Sequence, residues 1–171
     1  MEIAGLVRGH HEELYRYAYR LAGNQPDAED LVQQTFLVAQ QKLGQVRDAS
    51  CTRSWLFTVL RNHFLKTIRQ QRRFAASNFE LELDEIADEV PGNLDVDTEA
   101  LQAALDELPD EYRIVVVMFY FEDCSYKEIA ARLEIAIGTV MSRLWRAKRH
   151  LRAQLAPPET MVTSESADDL Q

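Results

Sequence analysis

The sequence predicts an all-α fold: two small helical domains joined by an acidic linker, the C-terminal one a helix-turn-helix. Three observations carry this. Apolar residues recur at the helical period through most of the 171-residue chain. With 6 glycines and 5 prolines the chain has too few breakers for long coil, and 46% hydrophobic against 27% charged residues is a globular balance. Charge also falls in blocks. Residues 1–75 hold 11 Lys/Arg and 7 Asp/Glu, residues 76–112 hold 13 acids and no base, residues 113–155 hold 8 bases and 4 acids, and residues 156–171 hold 4 acids. The net charge of -9 therefore belongs to the bridge and the tail, while the two flanking blocks are each basic. Such asymmetry suggests two polyanion-binding modules on one chain.

The elements follow in order. Residues 3–22 predict a helix with Leu6, Leu14, Tyr17, Ala18 and Leu21 on its core face, stopped by Gly23-Asn24. The next helix opens at Pro26 with Asp27, Glu29 and Asp30 in its first turn, where acids meet the positive end of the helix dipole. Leu31, Thr35, Val38 and Ala39 line one face, and Gly44 ends it. After the polar loop Gln45–Ser50, a third helix runs from about Thr52 to about Arg73 on the core stripe Trp55, Leu56, Val59, Leu60 and Phe64. Arg61, Lys66, Arg69, Arg72 and Arg73 crowd its C-terminal half, more cations than capping requires.

Ser77 to Asp97 shows no sustained period and reads as a linker, with a short turn at Leu83–Ala87. Helices resume over Thr98–Leu108 and Asp110–Phe121. The run Val115–Met118 would suit a buried strand by composition, but its helical neighbours favour a buried helix. In Ser125–Leu133 the S-x-x-E spacing of Ser125 and Glu128 is a capping box. A connector of four residues, Glu134–Ile137, leads to a last helix with Val140, Leu144, Ala147, Leu151 and Leu155 on its core face. Ser142, Arg143, Arg146 and Arg149 occupy another face. The acidic tail 156–171 reads as disordered.

Several function classes find no support. No apolar run of 18 residues predicts a membrane span, and the N-terminus does not read as a signal peptide. Cys51 and Cys124 form no CxxC pair and read as reduced thiols of a cytoplasmic protein. His10, His11, His63 and His150 have no metal-ligand spacing, and no nucleophile elbow, phosphate loop or zinc-protease motif occurs. No enzyme, cofactor or metal is expected. A capped helix, a tight turn and a second helix with exposed Arg and Ser instead predict duplex DNA binding, the second helix entering the major groove. Arg149 and Arg152 suit phosphate contacts. Trp145 reads equally as core or as a groove contact. On the third helix, aromatics interleaved with cations suit unstacked bases, and the Asn62 amide suits a base edge.

Four segments together resemble the extracytoplasmic-function (ECF) sigma factors of bacterial RNA polymerase: PDAEDLVQQTF, RSWLFTVLRN, LPDEYR and SYKEIAARLEIAIGTVMSRLWRAK. They occur in family order across about residues 5–155. The resemblance implies a region 2-like domain at 1–75, an acidic linker at 76–97, a region 4-like helix-turn-helix domain at 98–155 and a tail at 156–171. It implies that Asp30, Gln33 and Phe36 face the clamp of core RNA polymerase and that the C-terminal domain meets the flap. Arg61, Asn62, Lys66 and Arg69 would face the -10 strand, with a flipped base captured by the Gln45–Ser50 loop. Thr139, Ser142, Arg143, Trp145, Arg146 and Arg149 would read or hold the -35 duplex of promoter DNA. The linker would thread the polymerase cleft, and an anti-sigma factor is an expected partner. Relatives often carry Gly where Glu134 stands, Pro where Ala136 stands and a cation where Met141 stands. Two other readings compete with a promoter-specificity factor: a sigma-like mimic that sequesters an anti-sigma factor, and a dimeric helix-turn-helix repressor, which would leave the first basic block unexplained.

Overall fold

The computed structural model describes residues 3–42, 51–72 and 98–156. Among them are seven α-helices and no strand: α1 Ile3–Ala22, α2 Gln25–Lys42, α3 Thr52–Arg72, α4 Thr98–Asp106, α5 Asp110–Phe121, α6 Tyr126–Leu133 and α7 Ile137–Leu155. The Gln45–Ser50 loop, Arg73, the segment 76–97 with its expected turn at Leu83–Ala87, and the tail from residue 157 lie outside the described residues. The expected end of α4, Leu108, falls two residues late, the usual fraying error.

The first three helices pack on one another. The α1 face of Leu6, Leu14, Tyr17, Ala18 and Leu21 is buried, as its period requires. Gly23 ends α1 in the left-handed region at φ +77, its N–H donating to the Tyr19 carbonyl at 2.9 Å. Asn24 then caps α2: its Oδ1 accepts from the Asp27 N–H at 3.0 Å, and its Nδ2 donates to the Asp27 carboxylate at 2.8 Å. Asp27 thus serves the helix start. From α3, Leu56, Phe57, Leu60, Phe64 and Ile68 enter the core, with Phe57 edge-on to Tyr17 at 4.8 Å. Each fully buried leucine stabilises the fold by roughly 1.5–3 kcal/mol.

In the C-terminal half α5 is the central post, in contact with α6, α7 and α1. Tyr112 through Met118 are all buried, so the strand-like run Val115–Met118 is helical because it is enclosed on every side. Ser125 and Glu128 complete the capping box: Ser125 Oγ accepts from the Glu128 N–H at 3.2 Å, and the Glu128 carboxylate accepts from the Ser125 N–H at 2.8 Å. These bonds hold the exposed Glu128 carboxyl below its ordinary range. α6 stops at Glu134, which takes the left-handed conformation (φ 56, ψ 43). Ala136 follows at φ -63, the value a proline ring would impose. The turn therefore has the backbone of a Gly/Pro turn without either residue. α7 buries Val140, Leu144, Ala147 and Leu151, and Leu155 half-way.

The two halves meet at Glu122, just beyond α5. Arg61 of α3 donates from Nη1 to both carboxylate oxygens of Glu122 at 2.8 Å, and Tyr17 of α1 donates its hydroxyl to the same group. Arg132 of α6 completes the cluster at 3.1 Å. Arg61 and Glu122 are only 2% and 6% exposed, so the pair is desolvated. Burial opposes the charge on Arg61, but Glu122 and Tyr17 more than offset it and hold the guanidinium above its usual range. A second clasp lies nearby. Arg20 donates to Gln102 Oε1 at 2.9 Å, and Gln102 returns a bond to the Tyr19 carbonyl at 3.2 Å.

Candidate nucleic-acid interface

The helix-turn-helix is α6, the turn at Glu134–Ala136, and α7. Its outward surface is set by the buried stripe Val140–Leu151, which pins α7 against α5 and leaves three strips in view. The centre carries Gly138, Ser142 and Arg149, of which Ser142 and Arg149 are exposed polar residues. Ser142 Oγ donates to the Thr139 carbonyl at 3.1 Å, which turns that hydroxyl toward the helix but leaves its lone pairs outward. Gly138 has open space where a Cβ would lie.

One flank holds Arg143 and Arg146. Both are half-buried and engaged with the start of α5: Arg143 lies 3.5 Å from the Glu111 carboxylate, and Arg146 donates to the Tyr112 hydroxyl at 3.4 Å. Thr139 is half-buried on the same side. The other flank is apolar. Ile137 and Met141 are 50% and 52% exposed, and Trp145 follows, half-buried, with the Arg149 guanidinium 5.7 Å from its ring centre. The tryptophan is therefore outside the buried stripe of α7 and carries a cation on its ring.

On the other half, Asn62, Lys66 and Arg69 are exposed along one face of α3. They line a groove whose far wall is Arg132, Leu133 and Glu134 at the end of α6. Arg61 does not join them. It turns inward to Glu122, because α3 presents position 61 to the other half of the molecule, whereas 62, 66 and 69 lie on the next face. Sequence reading groups Arg61, Lys66 and Arg69 by charge and adds Asn62 for its amide; only the pairing with a residue 61 positions away separates Arg61 from the rest.

Asp30 and Gln33 are exposed on α2, and Phe36 is half-buried beside them. Asp30 accepts from the Gln34 amide at 2.7 Å. Phe36 stacks on His11 of α1 at 6.3 Å with the rings 4° from parallel, and His11 stacks in turn on Tyr15. With Val7 and Leu37 these rings line an open apolar groove between α1 and α2. His11 and the 57%-exposed Leu37 were not expected there. The signal for Leu37 was available, since it falls off the buried period of α2. Among the described residues no helix is long and apolar enough to cross a membrane.

Residues 6–74 match the family model Sigma-70 region 2, and residues 98–151 match Sigma-70, region 4. The chain is 38% identical over 167 residues to ECF RNA polymerase sigma factor SigE of Mycolicibacterium smegmatis, covering 95% of this chain and 64% of that protein. It is 38% identical over 159 residues to ECF RNA polymerase sigma factor SigL of Mycobacterium tuberculosis, covering 89% of this chain and 90% of that one. Among solved structures it resembles sigma factor RpoE of Bartonella quintana, in complex with the anti-sigma factor NepR, at 30% identity and a TM-score of 0.63, over 89% of this chain and 95% of that one. CnrH, solved with the cytosolic domain of CnrY, shares the fold at a TM-score of 0.55 and 23% identity, over 90% of this chain and 86% of that one. With both sigma regions in order, and 38% identity across nine-tenths of a relative of similar length, the chain belongs to the family of ECF RNA polymerase sigma factors.

Proposed function

We propose that this chain binds core RNA polymerase, recognises a -35 element as duplex and a -10 element as separated strand, and promotes melting at the start of transcription. The observation that carries the reading is the α6–turn–α7 unit, with its capping box, left-handed Glu134 and the exposed Gly138–Ser142–Arg149 strip. A helix held this way suits a major groove about 12 Å wide. Thr139, Ser142 and Trp145 would approach bases, while Arg143, Arg146 and Arg149 would take phosphates or guanine edges. For Arg143 and Arg146 this means exchanging Glu111 and Tyr112 for DNA. Asp30, Gln33 and Phe36 would dock on the polymerase clamp, using the open groove between α1 and α2.

Asn62, Lys66 and Arg69 would hold the -10 strand. In the packing described above, a strand laid along them meets Arg132, Leu133 and Glu134, so engagement requires the C-terminal helices to swing away. That motion would also release Arg61 from Glu122 and add a fourth polar group to the face. Domain limits at 1–75 and 98–155, with the acidic linker between, belong to the same proposal. So does an anti-sigma partner, since the RpoE relative was solved bound to one.

Run-off transcription with purified core polymerase tests the whole reading. Adding the chain is expected to produce initiation only on templates that carry the elements its holoenzyme selects. If no template is initiated while an anti-sigma factor binds tightly, the chain is a sigma-like mimic.

A further inference from the structure

The leading part of the apolar flank of α7, Ile137 and Met141, is not used by any contact assigned so far. Ile137, Met141 and Trp145 stand at i, i+4 and i+8, so they form one continuous ridge along the first turns of the helix. Single exposed apolar residues are ordinary on a protein surface. This ridge differs in three respects. Ile137 and Met141 are each at least half exposed on consecutive turns of one helix. They border Gly138, a helix-weakening residue for which no internal neighbour supplies a reason, since a Cβ there would meet open space. The nearby Arg143 and Arg146, by contrast, are already held by α5. The outermost chemistry at the start of α7 is thus apolar rather than cationic.

We infer that Ile137 and Met141 read thymines through their C5-methyl groups, with Gly138 allowing the backbone to come close to the duplex. This rests on the proposal that α7 enters the major groove. The major groove offers one apolar feature, the thymine methyl, and apolar side chains are the groups that recognise it. The unbranched Met141 thioether adapts to a methyl from several directions, whereas Ile137 is stiff and sets the edge of the footprint. The element read by this helix therefore contains thymine on at least one strand opposite positions 137 and 141, and that thymine is preferred over cytosine.

Core polymerase loaded with the full chain is used to select from a duplex library randomised across the upstream element. Each thymine of the selected element is then replaced singly by deoxyuridine, which removes one methyl and no hydrogen-bonding group. At one or two positions affinity is expected to fall about threefold to fourfold, the worth of one buried methyl. Met141→Ala or Ile137→Ala should abolish that difference at its own position, with an unchanged melting temperature. Met141→Arg should change the preferred base there from thymine to guanine, through a bidentate contact. Equal affinity for thymine and deoxyuridine at every position, or the same loss in wild type and both alanine variants, overturns the inference. Failure to enrich any upstream element overturns instead the reading of α7 as a duplex reader. Selection of a thymine-free element shows that α7 reads duplex without the methyl contact and also overturns the inference.

Discussion

Glu122 gathers three partners from three helices, and its removal or theirs has unequal consequences. Replacing Arg61 with methionine leaves a buried carboxylate short of its closest cation, and is expected to destabilise the free protein by about 3 kcal/mol or more. Replacing the pair together, Arg61→Met with Glu122→Leu, should recover part of the loss, because the buried ion pair is removed as a unit while the Tyr17 hydroxyl is left without its acceptor. Urea unfolding of the three variants without DNA measures this. A destabilisation of Arg61→Met below about 0.5 kcal/mol would mean that position 61 has no structural role in the free chain. Cys124 sits beside the same carboxylate. Burial, and then Glu122, push its thiol up from 9.0 to about 11, although Arg132 and Arg61 pull the other way. The folded thiol keeps its proton where the unfolded one has lost it. Stability is therefore complete below pH 9 and falls as pH rises from 9 to about 11, by roughly 2–3 kcal/mol at most. Tyr17, raised by burial and by Glu122, extends the loss to higher pH. Melting temperatures across that range, for wild type and Cys124→Ala, should diverge at the low end of the window and run parallel at neutral pH. A wild-type profile as flat as that of the variant would refute the assignment.

At the scale of elements, the turn between α6 and α7 shows how a backbone persists without its usual residues. Glu134 occupies a left-handed position that costs a side-chain-bearing residue about 1–2 kcal/mol, part of which glycine returns as chain entropy. Glu134→Gly is accordingly expected to raise stability by about 1 kcal/mol, and circular dichroism melts are the direct check. A lower melting temperature would mean that the Glu134 side chain contributes more than its backbone strain removes. The helices themselves were legible to within two residues at each end, including the capping box and the buried α5. Local rules suffice for these features, because a period or a cap is completed within a few positions along the chain. The Asn24 cap of α2 was missed: the adjacent acids drew attention to the dipole, whereas the bond that matters joins Asn24 Oδ1 to the Asp27 N–H.

The whole molecule depends on contacts between its halves, and Gly23 lies at one where a side chain would not fit. Its φ of +77 already disfavours other residues, and a Cβ there would lie 2.5 Å from Asp106 Oδ1. Asp106 cannot swing freely, since Gln102 donates to it at 2.8 Å and Arg113 lies 3.6 Å away. Gly23→Ala should cost about 2 kcal/mol, from strain and clash together. Adding Asp106→Ala should relieve the clash and leave the strain, so the two changes are non-additive in a double-mutant cycle. Strict additivity would place Gly23 and Asp106 apart in solution.

What the sequence by itself determined was the all-helical fold, the register of each core face and the segregation of charge that pointed to polyanion binding. These depend on spacing and composition, which are properties of neighbouring residues. What only the tertiary structure decided was the fate of individual charges and rings. Arg61 pairs with Glu122, Arg143 with Glu111 and Arg146 with Tyr112, while Trp145 carries Arg149 and leaves the α7 core stripe to others. An ion pair depends on distance through space and on the water excluded around it, and neither can be read from positions 61 residues apart along a chain. The same packing exposed Ile137 and Met141 by occupying the cations beside them, and so made the apolar edge of α7 its outermost chemistry.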